Sequence, residues 1–270
     1  MKTKLFIGII VSQAVFSTTN LSASTAASIF SDASGTLVTY DNASGSFPVV
    51  EAILSQPGTL DGYTYSTYSL LVQDSTGAMI VYGSLSGLGY TPTVGDAISV
   101  SATYSPFHQI PELASSTAIT LESSGNALTA PTVSTIPTLT ASGTGTIPQN
   151  LSGQLFTLDN VTLYSDAAGT VPISGNFPTH ANDGNIYAKD GSGNIIEIYD
   201  YASSFSDAGA FGGTPIPTGT VDVTGFLQQS GSFADELIPI SITSVPEPTT
   251  LALTGAGLIA AVIFRRRNAA

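Results

Sequence analysis

Apolar residues gather along this chain in short runs bounded by Gly, Asp, Ser and Pro, and in Ala97–Ala102 they alternate with a period of two. Such runs between turn residues predict strands. Val49-Val50-Glu51-Ala52-Ile53-Leu54 predicts one strand and Leu70-Leu71-Val72-Gln73-Asp74 a second. After the turn Ser75-Thr76-Gly77 comes Ala78-Met79-Ile80-Val81-Tyr82, then Ala97-Ile98-Ser99-Val100-Ser101-Ala102, and Ala118-Ile119-Thr120-Leu121 closes the set. No helical period appears between the two ends of the chain, so the fold class is all-β, a sandwich or small barrel.

The pattern occurs twice, which signals an internal duplication. Asp74 and Gly77 bracket a hairpin turn, as do Asp190 and Gly193, each pair 116 positions apart. Val94-Gly95-Asp96-Ala97 matches Thr218-Gly219-Thr220-Val221, and Glu112-Leu113 matches Glu236-Leu237, both at a spacing of 124. The change in spacing puts an insertion of eight residues into the Gly-, Ser- and Ala-rich stretch Tyr201 to Thr214. The expected units are 33–126 and 151–245, joined by a linker over 127–150 that carries Pro131, Pro137 and Pro148. Within the linker, Val133, Ile136 and Leu139 are apolar beads able to lie along a barrel edge. A strand, a hairpin reading Gln-Asp-x-x-Gly, a Gly-Asp turn into a strand and a closing Glu-Leu resemble the OB-fold modules of secreted bacterial proteins. The resemblance spans Thr36 to Ser123 and Leu151 to Ser244 and implies two tandem OB-like β-barrels. In it Gly77, Gly95, Gly193 and Gly219 serve turns and barrel bending.

The two ends differ from this body. Residues 1–24 place Lys2 and Lys4 before Leu5-Phe6-Ile7-Gly8-Ile9-Ile10-Val11 and then small polar residues, the layout of a secretory signal peptide, with cleavage expected between Ala23 and Ser28. Residues 246–270 read Pro246-Glu247-Pro248, a 14-residue apolar run from Leu251 to Phe264, and Arg265-Arg266-Arg267. As a helix that run rises about 21 Å, short of the roughly 30 Å hydrocarbon core. It suits a transient anchor whose arginines stay on the cytoplasmic side. The order of these parts resembles the PEP-CTERM sorting signal processed by exosortase-type membrane proteases. The resemblance implies export, transient tethering at the inner membrane, and delivery to the cell surface or extracellular matrix.

Without its ends the body keeps one base, Lys189, against 18 acids (all of the 19 but Glu247), a net charge of −17. Binding to phosphate backbones rests on Lys and Arg releasing counterions, so nucleic acid is disfavoured as a partner. There is no cysteine, hence no disulfide framework, and stability must come from apolar cores.

Candidate chemistry is sparse. His108 and His180 lie one in each copy, too few and too far apart in the sequence for a zinc site in the absence of cysteine. No Gly-x-Ser-x-Gly elbow accompanies them. Asp190-Gly191-Ser192-Gly193-Asn194 resembles a calcium loop only at its start, since its sixth and twelfth positions are Ile195 and Tyr201. A hairpin turn is the better reading, with weak calcium association at Asp183, Asp190 or Asp235-Glu236 as the remaining option. Tyr63, Tyr65 and Tyr68, with Tyr199 and Tyr201 in the second copy, could stack on sugar rings or pack across strands. The expectation is no catalytic residue, no metal and no cofactor. The function expected is a non-enzymatic surface or matrix protein whose partners are an exosortase-type protease and an extracellular polysaccharide. The alternatives are a carbohydrate-binding or calcium-dependent polysaccharide-binding module and, further off, an accessory part of a secreted hydrolase or nuclease system.

Overall fold

The computed structural model describes residues 23–55, 58–60, 63–65, 67–84, 91–107, 109–140, 151, 153–177, 186–199, 214–229 and 235–246. The first half contains β1 (Ala23–Ser24), α1 (Ala26–Ile29), β2 (Leu37–Tyr40), β3 (Val49–Ser55), β4 (Gly58–Leu60), β5 (Tyr63–Tyr65), β6 (Tyr68–Asp74), β7 (Gly77–Gly83), β8 (Ala97–Tyr104) and β9 (Glu112–Ser123). The second contains β10 (Thr132–Ser134), α2 (Ile136–Leu139), β11 (Leu155–Tyr164), β12 (Ile186–Lys189), β13 (Ile195–Ile198), β14 (Thr220–Gln229) and β15 (Asp235–Ser244).

Each half closes into a five-stranded barrel. In the first, β3, β6 and β7 form an antiparallel meander, β7 runs parallel to β9, and β9 pairs with β8, which returns to β3 through Val49 and Ala97. In the second, β11, β12 and β13 form the meander, β13 runs parallel to β15, and β14 pairs with both β15 and β11. Numbered within each barrel, the strand order is 1-2-3-5-4-1 in both, the closed Greek-key arrangement of an OB fold. The duplication read from the sequence is visible in the register. Glu112 lies opposite Ile80 where the third strand meets the fifth, and Glu236 lies opposite Glu197 at the same place. Gly95 and Gly219 both stand at the turn into the fourth strand with φ of +89° and +85°, a conformation costly for any other residue.

One equivalence is corrected. Asp74 pairs with Gly77 across two turn residues, whereas Asp190 donates its amide to the carbonyl of Asn194. The second turn is one residue longer, so the counterpart of Gly77 is Asn194 and not Gly193. The eight-residue insertion expected in 201–214 lies outside the described residues except at Thr214.

The expected linker is also corrected. β10 pairs in parallel with β11, and α2 places Ile136 and Leu139 in the core of the second barrel. Thr135 caps this short helix by accepting from the amide of Thr138, and Pro137 falls in the first turn, where its missing N–H costs nothing. The first barrel opens in the same way. Thr25 and Ser28 form a reciprocal capping box around α1, which sends Ala26 and Ile29 into the core. Residues 23–29 are thus structural, although the expected leader 1–24 and its cleavage window reach into them. Residues 1–22 lie outside the described residues.

The barrels pack on each other. Ala52, Leu54, Leu71, Ala78 and Ile80, on the outer face of β3–β6–β7, form one apolar cluster with Leu155, Phe226 and Ile238 of the second barrel. Gly153 sits so close that a Cβ there would lie 2.6 Å from the carbonyl oxygen of Ala78.

Candidate functional site

The clearest functional feature lies where the second barrel ends. β15 is bonded to β14 along its length, from the pair Gln229–Asp235 to the pair Val221–Ser244. The amide of Val245 then donates to the carbonyl of Thr220 at 3.0 Å. Pro246 follows, exposed and without an amide to donate, so the ladder stops there. The Pro-x-Pro element therefore leaves the folded barrel with no spacer. Glu247, Pro248 and Arg265–Arg267 lie outside the described residues, as does the apolar run 251–264. Among the described residues no helix is long and apolar enough to cross a membrane.

Of the expected sugar-stacking residues, Tyr63 and Tyr65 fall in β5, opposite Leu60 and Gly58, and their side chains lie outside the described residues. Tyr68 starts β6 and is half-buried against the core of the first barrel. Its ring packs on that core with part of it still exposed. Tyr199 packs against the inter-barrel cluster. Tyr201, His108, His180 and Asp183 lie outside the described residues.

The duplicated Glu-Leu signature gives rise to an acidic row that the sequence did not reveal. Glu197, Glu236 and Gln228 are direct neighbours across β13, β15 and β14. The amide nitrogen of Gln228 donates to Glu236 at 3.2 Å, and both residues are buried. Burial and then the neighbouring Glu236 push the Glu197 carboxyl up to about 6, and burial alone pushes Glu112 up to about 7. Asp235 is 2% exposed, neither of its carboxyl oxygens has a hydrogen-bond partner, and burial raises its pKa. Lys189 does not answer these acids. Its Nζ donates to the carbonyl of Gly169 at 3.0 Å and lies 5.5 Å from the centre of the Tyr164 ring.

Asp190 behaves as a turn residue. Its carboxylate accepts from the amides of Ser192 and Asn194 and from the Asn194 side chain, which lowers its pKa against the effect of desolvation. Among the described residues no three His, Cys, Asp or Glu side chains are grouped so as to hold a metal ion.

Comparison with known proteins bears on the C-terminus. No curated protein matches the chain. Among solved structures, it is similar to a murine DNA-binding protein bound to double-stranded DNA, at 12% identity over 78% of this chain and 100% of that one, with a TM-score of 0.38. It is also similar to the Ifi202 HINa domain in complex with 20-base-pair double-stranded DNA, at 13% identity over 78% of this chain and 98% of that one, with a TM-score of 0.34. At such identity and TM-score no ligand follows from either. Residues 244–267 match the PEP-CTERM protein-sorting motif, starting at the last residue of β15. The chain thus carries a PEP-CTERM protein-sorting motif, a signal for export and exosortase-type sorting, directly behind two tandem OB-like barrels.

Proposed function

We propose that the protein is a non-enzymatic component of the cell surface or extracellular matrix that associates with exopolysaccharide after exosortase-type processing. The observation that carries this reading is the junction at Val245–Pro246, where the sorting motif begins as the barrel ladder ends. Processing at such a junction delivers both packed barrels as one body, with no other folded part between them and the signal. The charge of the body, −17 with Lys189 as its one base, speaks against nucleic acid as the ligand.

The test is the intact mass of the protein from its producer, in medium and envelope fractions, together with its co-fractionation with exopolysaccharide. The expected form lacks residues 251–270, retains Thr25 and α1, and shifts fraction when the polysaccharide is digested. A mass that keeps the C-terminal segment makes the protein tail-anchored, and a distribution indifferent to polysaccharide removal sinks the matrix association.

A further inference from the structure

We infer that the outer face of the second barrel's meander carries a binding strip for a neutral glycan, built from Tyr164, Tyr187 and Glu197. This rests on the exopolysaccharide association proposed above and names the surface that would mediate it. Leu163, Ala188 and Ile196 belong to the core of this barrel, so their strand neighbours Tyr164, Tyr187 and Glu197 point outward. The three lie directly opposite one another across β11, β12 and β13. Each is half-buried. Neighbouring strands lie about 4.8 Å apart, so the strip runs about 10 Å, the length of a short stretch of glycan.

The duplication makes these residue types informative. Across its strands the first barrel reads Ala52, Leu71, Ile80 and then Glu112. The same row of the second barrel reads Tyr164, Tyr187, Glu197 and then Glu236. In the first barrel the three apolar side chains are covered by Leu155, Phe226 and Ile238 of the second. In the second barrel the row instead presents two rings and a carboxyl at half exposure. A second copy of the chain is a poor cover for it, because that copy brings a body of net charge −17 against another of the same sign.

The strip is bounded on both sides. Along one side Thr162, Lys189 and Ile195 form the next row, and the Gly169 loop closes over it. A Cβ on Gly169 would lie 2.8 Å from Lys189 Cδ and 2.9 Å from Ile195 Cδ1. Along the other side Tyr199 packs against the cluster between the barrels. Within the strip the polar groups stay open. Glu197 is half-buried, so its carboxyl reaches the surface, and among the described residues no donor is bonded to it. Its neighbour Glu236 is buried and accepts from Gln228.

The class of ligand follows from these engagements. Lys189 donates to the carbonyl of Gly169 and stands over the Tyr164 ring, so an anionic polymer finds two carboxyls and no uncommitted cation. A cationic polymer finds the position over Tyr164 taken by that same ammonium group. What remains is the Tyr187 ring beside the open carboxyl of Glu197. A tyrosine ring offers its apolar body to the C–H face of a sugar, and a carboxylate accepts from the sugar's hydroxyls. Few ligands ask for both without bringing a charge of their own, and a neutral glycan is one.

The test uses the processed protein with Tyr187→Ala, Tyr187→Phe and Glu197→Gln variants, each checked for native circular dichroism. Tyr82→Ala, at an exposed tyrosine of the first barrel, is the control. Binding is measured by calorimetry against neutral glucan and galactan oligosaccharides, polygalacturonate and chitosan oligomers, with co-sedimentation on the producer's own polysaccharide in parallel. The expected result is binding to a neutral oligosaccharide, weakened about tenfold by Tyr187→Ala, the equivalent of roughly 1.4 kcal/mol. Glu197→Gln should weaken it about fivefold, while Tyr187→Phe, which keeps the ring, and Tyr82→Ala leave it nearly intact. If wild type binds a neutral glycan and Tyr187→Ala and Glu197→Gln bind it equally well, the strip is wrong while the polysaccharide association stands. Binding only to the charged polymers overturns the neutral class. Self-association in light scattering that Tyr187→Ala abolishes gives the strip to a second copy instead. No binding to any oligosaccharide, together with failed co-sedimentation, overturns the strip and the association at once.

Discussion

At the scale of single residues, the molecule is set apart by carboxyls held in apolar surroundings without cations. Glu112 is the clearest, raised from 4.5 to about 7 by burial, with Glu197 raised to about 6. In the unfolded chain these groups lose their protons near 4.5; in the folded protein they keep them to higher pH. Between those values the native state binds more protons than the unfolded state, so stability falls as pH rises. Urea unfolding should therefore give a decline between about pH 4.5 and 7, and Glu112→Gln should flatten it. At pH 8 that variant should gain about 1–2 kcal/mol, a figure reduced for the part of the side chain still in water. A pH-independent midpoint in both proteins would refute the assignment. The acids behind this behaviour could not be told apart in the sequence. Glu112 and Glu236 were legible as repeat markers, but what burial does to a carboxyl depends on the strands opposite it.

The elements show where sequence patterning has its limit. β3, β6 and β7 stood out as compact apolar runs and β8 by its alternation, and the hairpin and Gly-Asp turns supplied their ends. α1 and α2 did not, because four residues span barely one turn and show no period. Their shared signal is nevertheless present: Ser24-Thr25 and Ser134-Thr135 each precede a four-residue segment ending in Ile29 or Leu139. The first was hidden in the expected cleavage window, and the second among prolines that suggested a linker. Each helix fills the core of its own barrel with one large fully buried side chain at its last position. Ile29→Ala and Leu139→Ala should each lower stability by about 2–5 kcal/mol. Hydrogen exchange should localise the loss, with faster exchange in β6 to β8 for the first and in β11 to β14 for the second. Equal effects in both barrels would argue against separate plugs.

For the whole molecule, the packing of the two barrels was foreshadowed only by runs such as Leu70-Leu71-Val72 and Ala78-Met79-Ile80-Val81, apolar on both faces and so buried on both. Leu71 and Ile80 turn to the second barrel while Leu70 and Met79 turn inward. Through this shared cluster the barrels should melt in one calorimetric transition. Phe226→Ala, which removes a side chain 2% exposed at the seam, should cost about 3–5 kcal/mol and split the transition in two. Two transitions already present in the wild type would show that the seam contributes little.

The abrupt end of β15 also governs how the molecule bears load. A protein held by its C-terminus and dragged by the material around it receives the force at Val245. Directed along β15, that force is received by the strand itself. It meets the antiparallel ladder with β14 side-on, from Ser244 back to Asp235, together with the parallel pairing to β13. Many hydrogen bonds must then slide together before any one gives way, so the strand that carries the sorting signal is also a shear clamp.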